Sequence, residues 1–325
     1  MLTRRQFLGT ATLGAAAVSL AGKAAEMPVP RLAFPLFDTH AHLISSDQVR
    51  YPRVAGDAGA PTALGAAPAI PEAEKLLVWM DENNVGGAVA VQPPGTYGFN
   101  NYYVLDSADR FRSRLMPVVV LDTTSDGTPD LLRQYIRERG LAGLRITGPL
   151  AEDGSLAWLD STTARRSWEV AEQHSLAIDI VTAPPGRMPA AIAACAKLAR
   201  DYPNTRLVLD HLAWLQPAAG PDYGIDADLR SLALFPNIYL KFTSLNLAQL
   251  SAAQMSAPEL LRRLVDVYGA DRLMWGSDIG NTAGTYADFV RSAVGATTLL
   301  NAEEQRKVLR DTGMRVFVRG GARRA

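Results

Sequence analysis

Three short segments hold residue types whose spacing could do chemistry together. In Phe37-Asp38-Thr39-His40-Ala41-His42-Leu43, residues two apart on an extended chain point the same way. His40 and His42 therefore project side by side, with Asp38 below them. Two imidazoles on one face can bind a divalent ion or polarise a substrate oxygen. Val208-Leu209-Asp210-His211-Leu212 and Met274-Trp275-Gly276-Ser277-Asp278 each bring an apolar run to a titratable residue at its C-terminal end. The chain has only 4 histidines, and two stand in one strand. If these segments meet, Asp278 can serve as general base while His40, His42 and His211 donate to a developing oxyanion.

Two cations belong to the same argument. In Gly143-Leu144-Arg145-Ile146-Thr147 the apolar Leu144 and Ile146 take one face and leave Arg145 on the other. The same alternation turns Tyr239 and Lys241 together in Ile238–Phe242. A cation facing a barrel axis needs an anion, so each is either paired internally, with Asp179 as a candidate partner, or binds a substrate carboxylate. Gln92, Tyr97 and Asn101, in and after the Val91–Asn100 run, are candidate substrate contacts. His174 reads as solvated and Cys195 as packing.

Apolar runs positioning these groups alternate with stretches of helical period. Strands are expected over Leu32–Leu43, Gly87–Gln92, Leu115–Leu121, Ala142–Thr147, Leu176–Thr182, Arg206–Leu212, Ile238–Thr243 and Leu273–Ser277. Helices fill most intervals, and Tyr286–Val294 and Ala302–Val318 close the chain. Runs apolar on both faces suit a parallel sheet covered by helices. Eight such units predict an α/β fold, a (β/α)8 TIM barrel spanning residues 30–320 as a single domain. The joints after strands are the longer ones, which places the site at that end. The Ile44–Ile70 stretch is a candidate lid.

Composition narrows the function. The 325 residues carry 33 Lys+Arg against 33 Asp+Glu, which argues against a nucleic-acid partner and leaves a small-molecule substrate. A single cysteine excludes a disulfide scaffold and a cysteine-ligated zinc. Residues 1–25 read as an address: Arg4-Arg5 precede Phe7-Leu8 and an Ala/Gly-rich apolar stretch with small residues near Ala21 and Ala24. This resembles a twin-arginine export signal, implying the twin-arginine machinery as a partner and a periplasmic or otherwise exported protein. The stretch is too short for the ~20 residues of a spanning helix, so no stable membrane span is expected after cleavage.

The Asp-Thr-His-Ala-His, Asp-His and Trp-Gly-Ser-Asp segments resemble the amidohydrolase-related branch of the amidohydrolase superfamily. Val91–Asn101, Gly143-Leu144-Arg145 and Leu240-Lys241-Phe242-Thr243 resemble its subgroup of 2-pyrone-4,6-dicarboxylate lactonase, sugar lactonases and a galactarolactone isomerase. The resemblance covers roughly residues 34–318 and implies hydrolysis of a lactone of a small carboxylated or polyhydroxy substrate. Lactone isomerisation, metal-dependent decarboxylation and a non-catalytic binding barrel are the alternatives. There are departures. Val181 stands where metal-binding relatives place a strand-5 histidine, and Arg145 replaces the strand-4 lysine of two-metal members. A cofactor-free site is therefore expected, the alternative being one Zn²⁺ or Mn²⁺ on His40, His42 and Asp278.

Overall fold

A computed structural model describes residues 31–54, 70–182, 186, 188–220 and 222–318. The proposed signal at 1–25 and most of the candidate lid, residues 55–69, lie outside the described residues. Eight parallel strands run in sequence order: β1 Leu36–His42, β2 Val85–Val91, β3 Leu115–Val120, β4 Gly143–Gly148, β5 Ala177–Thr182, β6 Arg206–Leu209, β7 Ile238–Thr243 and β8 Leu273–Gly276. Just past β8, the Asp278 amide donates to His40 O at 2.7 Å and the His42 amide to Ile279 O at 3.0 Å, which joins the last strand to the first. The chain folds as a (β/α)8 barrel in one body.

Alternation along the strands produces two apolar layers. Leu144, Ile146, Ile178, Ile180, Leu207, Leu240 and Phe242 belong to the large cluster that includes the helices' buried faces. Residues of the opposite parity form a smaller cluster with Phe37, Val89, Val91, Met116, Val118, Val208, Met274 and Phe317. Register places Arg145 beside Asp179, Asp179 beside Val208, and Lys241 beside Met274, so the charged residues share the face of this second cluster. The barrel interior is thus an apolar plug under a polar layer. Phe317, from the C-terminal helix, is one such plug residue: the Lys241 ammonium lies 5.2 Å from its ring centroid.

Connections follow the expected asymmetry. Two residues separate the helix Ala73–Glu82 from β2, whereas residues 43–72 separate β1 from that helix. Two of the expected elements differ and one helix is additional. The expected strand over Arg206–Leu212 stops at Leu209, because His211 to Trp214 take left-handed backbone angles with φ of 52° to 55°. The closing helix is interrupted by a π-turn at Lys307–Asp311. A helix over Ser244–Ala252 follows β7; its Leu245, Leu247 and Leu250 lack clear helical spacing. No helix among the described residues is long and apolar enough to cross a membrane.

Candidate active site

The C-terminal ends of β1, β6 and β8 bring the sequence-nominated groups together. His40 Nε2 and His42 Nε2 are 3.3 Å apart, and each lies 3.6 Å from Asp278 Oδ1. The His211 ring centroid is 5.4 Å from that of His40. All four residues are buried.

Each is held by its own element. Asp38 accepts the His40 and Ser277 amides at 3.0 and 2.8 Å and the Tyr286 hydroxyl at 3.0 Å, tying β1 to the turn after β8. Asp278 adopts φ 55°, a left-handed conformation that Asp and Asn tolerate better than most residues. Its Oδ2 accepts from Thr282 Oγ1 at 2.6 Å and Asn281 Nδ2 at 3.1 Å, which aims Oδ1 at the imidazoles. The left-handed turn at His211 sets its Nδ1 2.8 Å from Thr243 Oγ1 and its ring 4.9 Å from that of Trp214. Asn246 Nδ2 donates to His211 O at 3.1 Å and secures the turn. Left-handed non-glycine residues in series are costly, at about 1 kcal/mol or more each, and such strain concentrates at functional sites.

Below the histidines lies a closed charge cluster. Lys241 Nζ is 2.6 Å from Asp179 Oδ2, 2.9 Å from Asp210 Oδ1 and 3.3 Å from His40 Nδ1. Arg145 Nε donates to Asp210 Oδ2 at 2.9 Å. Lys241 is 0% exposed and paired internally, one of the two roles its sequence position allowed. Arg145 keeps 7% side-chain exposure, and its two terminal nitrogens make no hydrogen bond among the described residues. Gln92 Nε2 donates to Gly98 O at 2.6 Å, the Tyr97 hydroxyl accepts the Ser45 amide at 2.8 Å, and the Asn101 side chain bonds Phe99 O and both backbone groups of Val120. These three hold loops at the mouth. Of their amide oxygens, Gln92 Oε1 has no partner among the described residues.

Burial and charge set the protonation states. Burial holds His40 well below, and His211 below, the usual imidazole range. Burial alone would raise the Asp278 carboxyl, but the proximity of His211 and His40 keeps it far below the carboxylate range. Asp210 would likewise rise with burial, yet Lys241, His40 and Arg145 hold it low. Burial pushes Asp179 up to about 7 against the pull of Lys241, and Asp38 up to about 6 against its hydrogen bonds.

Ligand atoms of His40, His42 and Asp278 converge within 4.8 Å of one another, the span a single divalent ion needs. The hydrogen positions oppose that use. His42 Nδ1 lies 2.9 Å from the carbonyl oxygen of Val91, which can only accept, so the hydrogen sits on Nδ1 and Nε2 is bare. His40 Nδ1 instead faces the Lys241 ammonium, a donor. Accepting there puts the remaining hydrogen on Nε2, where a metal would need a lone pair. Two of the three ligands fit a cation and His40 does not.

Comparison with known proteins adds one decisive observation: the amidohydrolase family matches residues 37–319. The chain belongs to this family. An L-fucono-1,5-lactonase of Burkholderia ambifaria is 29% identical over 191 residues, which is 58% of this chain. The match spans 63% of that relative, less than two thirds of its length. A Pseudomonas putida protein assigned as a 2-pyrone-4,6-dicarboxylic acid hydrolase shares the fold, with TM-score 0.67, 21% identity, and coverage of 88% of this chain and 98% of its own. A Burkholderia multivorans amidohydrolase with bound zinc does so too, at TM-score 0.64, 18% identity, and coverage of 87% and 99%.

Asp210, Thr243, Thr282 and Tyr286 are site residues that pattern reading did not nominate. Asp210 was adjacent to a nominated histidine, and that adjacency was the available signal. The other three act through contacts with residues whose placement only the closed barrel defines.

Proposed function

We propose that this amidohydrolase opens a lactone, a cyclic ester of a small carboxylated or polyhydroxy acid. One observation carries the reading: a carboxylate held ionised faces two histidines at 3.6 Å, with a third alongside, at the loop-bearing end of the barrel. The lactonase relative supports the choice of bond.

Asp278 Oδ1 is an acceptor that faces His42 Nε2 at 3.6 Å. A water donating one hydrogen to Asp278 Oδ1 is oriented for attack by that bond. As it attacks the lactone carbonyl, its proton passes to Asp278 Oδ1, and negative charge grows on the carbonyl oxygen. His40 Nε2–H turns from His42 to that oxygen. His211 joins it when Thr243 Oγ1 exchanges its hydrogen bond to Asn246 Oδ1, at 3.3 Å, for one to His211 Nδ1, at 2.8 Å, which leaves the hydrogen on Nε2. Donors preorganised in this way are worth about 3 kcal/mol each. Asp278 then returns the proton to the leaving ring oxygen, giving the open hydroxy acid. The terminal nitrogens of Arg145, without a hydrogen bond among the described residues, are the donors for a substrate carboxylate or hydroxyl. No step passes through a metal.

A lactone panel that includes L-fucono-1,5-lactone and 2-pyrone-4,6-dicarboxylate, followed by acid release, tests this. Stoichiometric acid is the expected result. A product change without acid indicates isomerisation and overturns it. The Arg4-Arg5 segment supports export by the twin-arginine route. Residues 1–25 fused to a reporter should reach the periplasm, and an Arg4→Lys/Arg5→Lys pair should retain the reporter inside.

A further inference from the structure

We infer that Lys241 is a positioning residue: it fixes His40 as the Nε2–H tautomer and thereby keeps a divalent cation from being held by the His40, His42 and Asp278 set. The inference concerns hydrogen placement and rests on no substrate assignment.

The argument is a count of donors and acceptors. An ammonium has three N–H groups and no lone pair. Three acceptor atoms surround Lys241 Nζ: Asp179 Oδ2 at 2.6 Å and His40 Nδ1 at 3.3 Å in hydrogen-bond geometry, and Asp210 Oδ1 at 2.9 Å as an ion pair without a hydrogen bond. The residue is fully buried, so no water relieves a missing bond. A hydrogen on His40 Nδ1 would set two donors face to face and strand one ammonium hydrogen, an arrangement costing about 1–3 kcal/mol. Asp210 Oδ1, at 3.6 Å from Nδ1, is too far to take that hydrogen well.

The other end of the chain agrees. Val91 O anchors the hydrogen of His42 on Nδ1, so His42 Nε2 is an acceptor 3.3 Å from His40 Nε2. The order Lys241 Nζ–H to His40 Nδ1, His40 Nε2–H to His42 Nε2, His42 Nδ1–H to Val91 O satisfies every ring nitrogen. Reversing His40 breaks two links at once. A cation shared by both Nε2 atoms requires that reversal, and it would also stand one imidazole away from a fixed ammonium. Lys241, rather than the absence of ligands, is thus the selectivity device.

Two readouts test this without turnover. The first is ¹⁵N–¹H correlation spectroscopy of the histidine-labelled wild type, which has four imidazoles to assign, each by its own His→Gln variant. His40 should show a bare Nδ1 and a protonated Nε2, and His42 the opposite. A protonated Nδ1 on His40 overturns the proposal whether or not any variant folds. The second is zinc content after equilibration with zinc alone and gel filtration. Wild type should retain about none, and folded Lys241→Met about one ion per chain, lost again in Lys241→Met/His42→Gln. Wild type holding one zinc overturns the proposal, as does a folded Lys241→Met that takes up no more than wild type. Zinc that survives in the double variant also overturns it, because the ion then sits on Asp179 and Asp210 instead.

Discussion

Gly276→Ala isolates the positioning of His40 without touching a chemical group. Gly276 lies on β8 opposite Thr243, and a Cβ built there falls 2.4 Å from His40 Cβ and 3.0 Å from His40 N. Ordinary carbon contacts begin near 3.4 Å, so β1 must retreat by about 1 Å, a misplacement that costs on the order of 10²-fold in rate. The retreat also stretches the bond from the Asp278 amide to His40 O, 2.7 Å in the unaltered site. Overpacking of this kind costs about 1–3 kcal/mol of stability, well short of unfolding a barrel of this size. The control is Gly295→Ala, where the new methyl group meets nothing within 4 Å. Thermal melts and steady-state kinetics on the best lactone substrate are the assay. Gly276→Ala should stay folded with kcat down about 100-fold, and Gly295→Ala should match wild type. Wild-type kcat in Gly276→Ala would refute the claim that β8 sets the His40 geometry.

Asp278→Asn should remain folded, since Asn tolerates the left-handed backbone that Asp278 adopts. Its kcat should fall about 10²- to 10⁴-fold; turnover near wild type would remove Asp278 as base. Asp38→Asn tests the raised carboxyl. With a folded pKa of about 6 above the unfolded value of about 3.9, Asp38 adds stability that is fully present below pH 4 and lost as pH rises through 6. Wild-type stability minus that of Asp38→Asn should therefore grow by about 2 kcal/mol as pH falls from 7 to 4, read from urea melts. A difference that is flat with pH contradicts the burial argument. Burial lowers His40 and His211 below the unfolded imidazole value, so their contribution is present above pH 6.5 and declines below it. Replacing His211 with Gln should make the decline between pH 6.5 and 5 shallower in the same melts.

Much of the barrel is legible in the sequence because alternation and strand ends are local properties. Leu144 and Ile146 flanking Arg145 fix its face, and the two-residue step from His40 to His42 fixes theirs. What is not legible depends on closure. Asp179 was nameable as an internal partner by parity, yet Arg145 pairs with Asp210, 65 positions away, because β6 ends at Leu209. The early end of β6 is itself hidden: Val208-Leu209-Asp210-His211-Leu212 reads as a strand, and only the demands of Thr243 and Asn246 on His211 turn it left-handed. The tautomers of His40 and His42 likewise depend on Lys241 and Val91, neither of them neighbours in the chain.

The most direct test of lactone opening by this carboxylate and these histidines is acid release by chelator-treated enzyme, followed in a pH-stat. The account predicts one equivalent of acid per lactone consumed, at the rate seen before chelation. Loss of turnover on chelation, restored by added zinc or manganese, would contradict it.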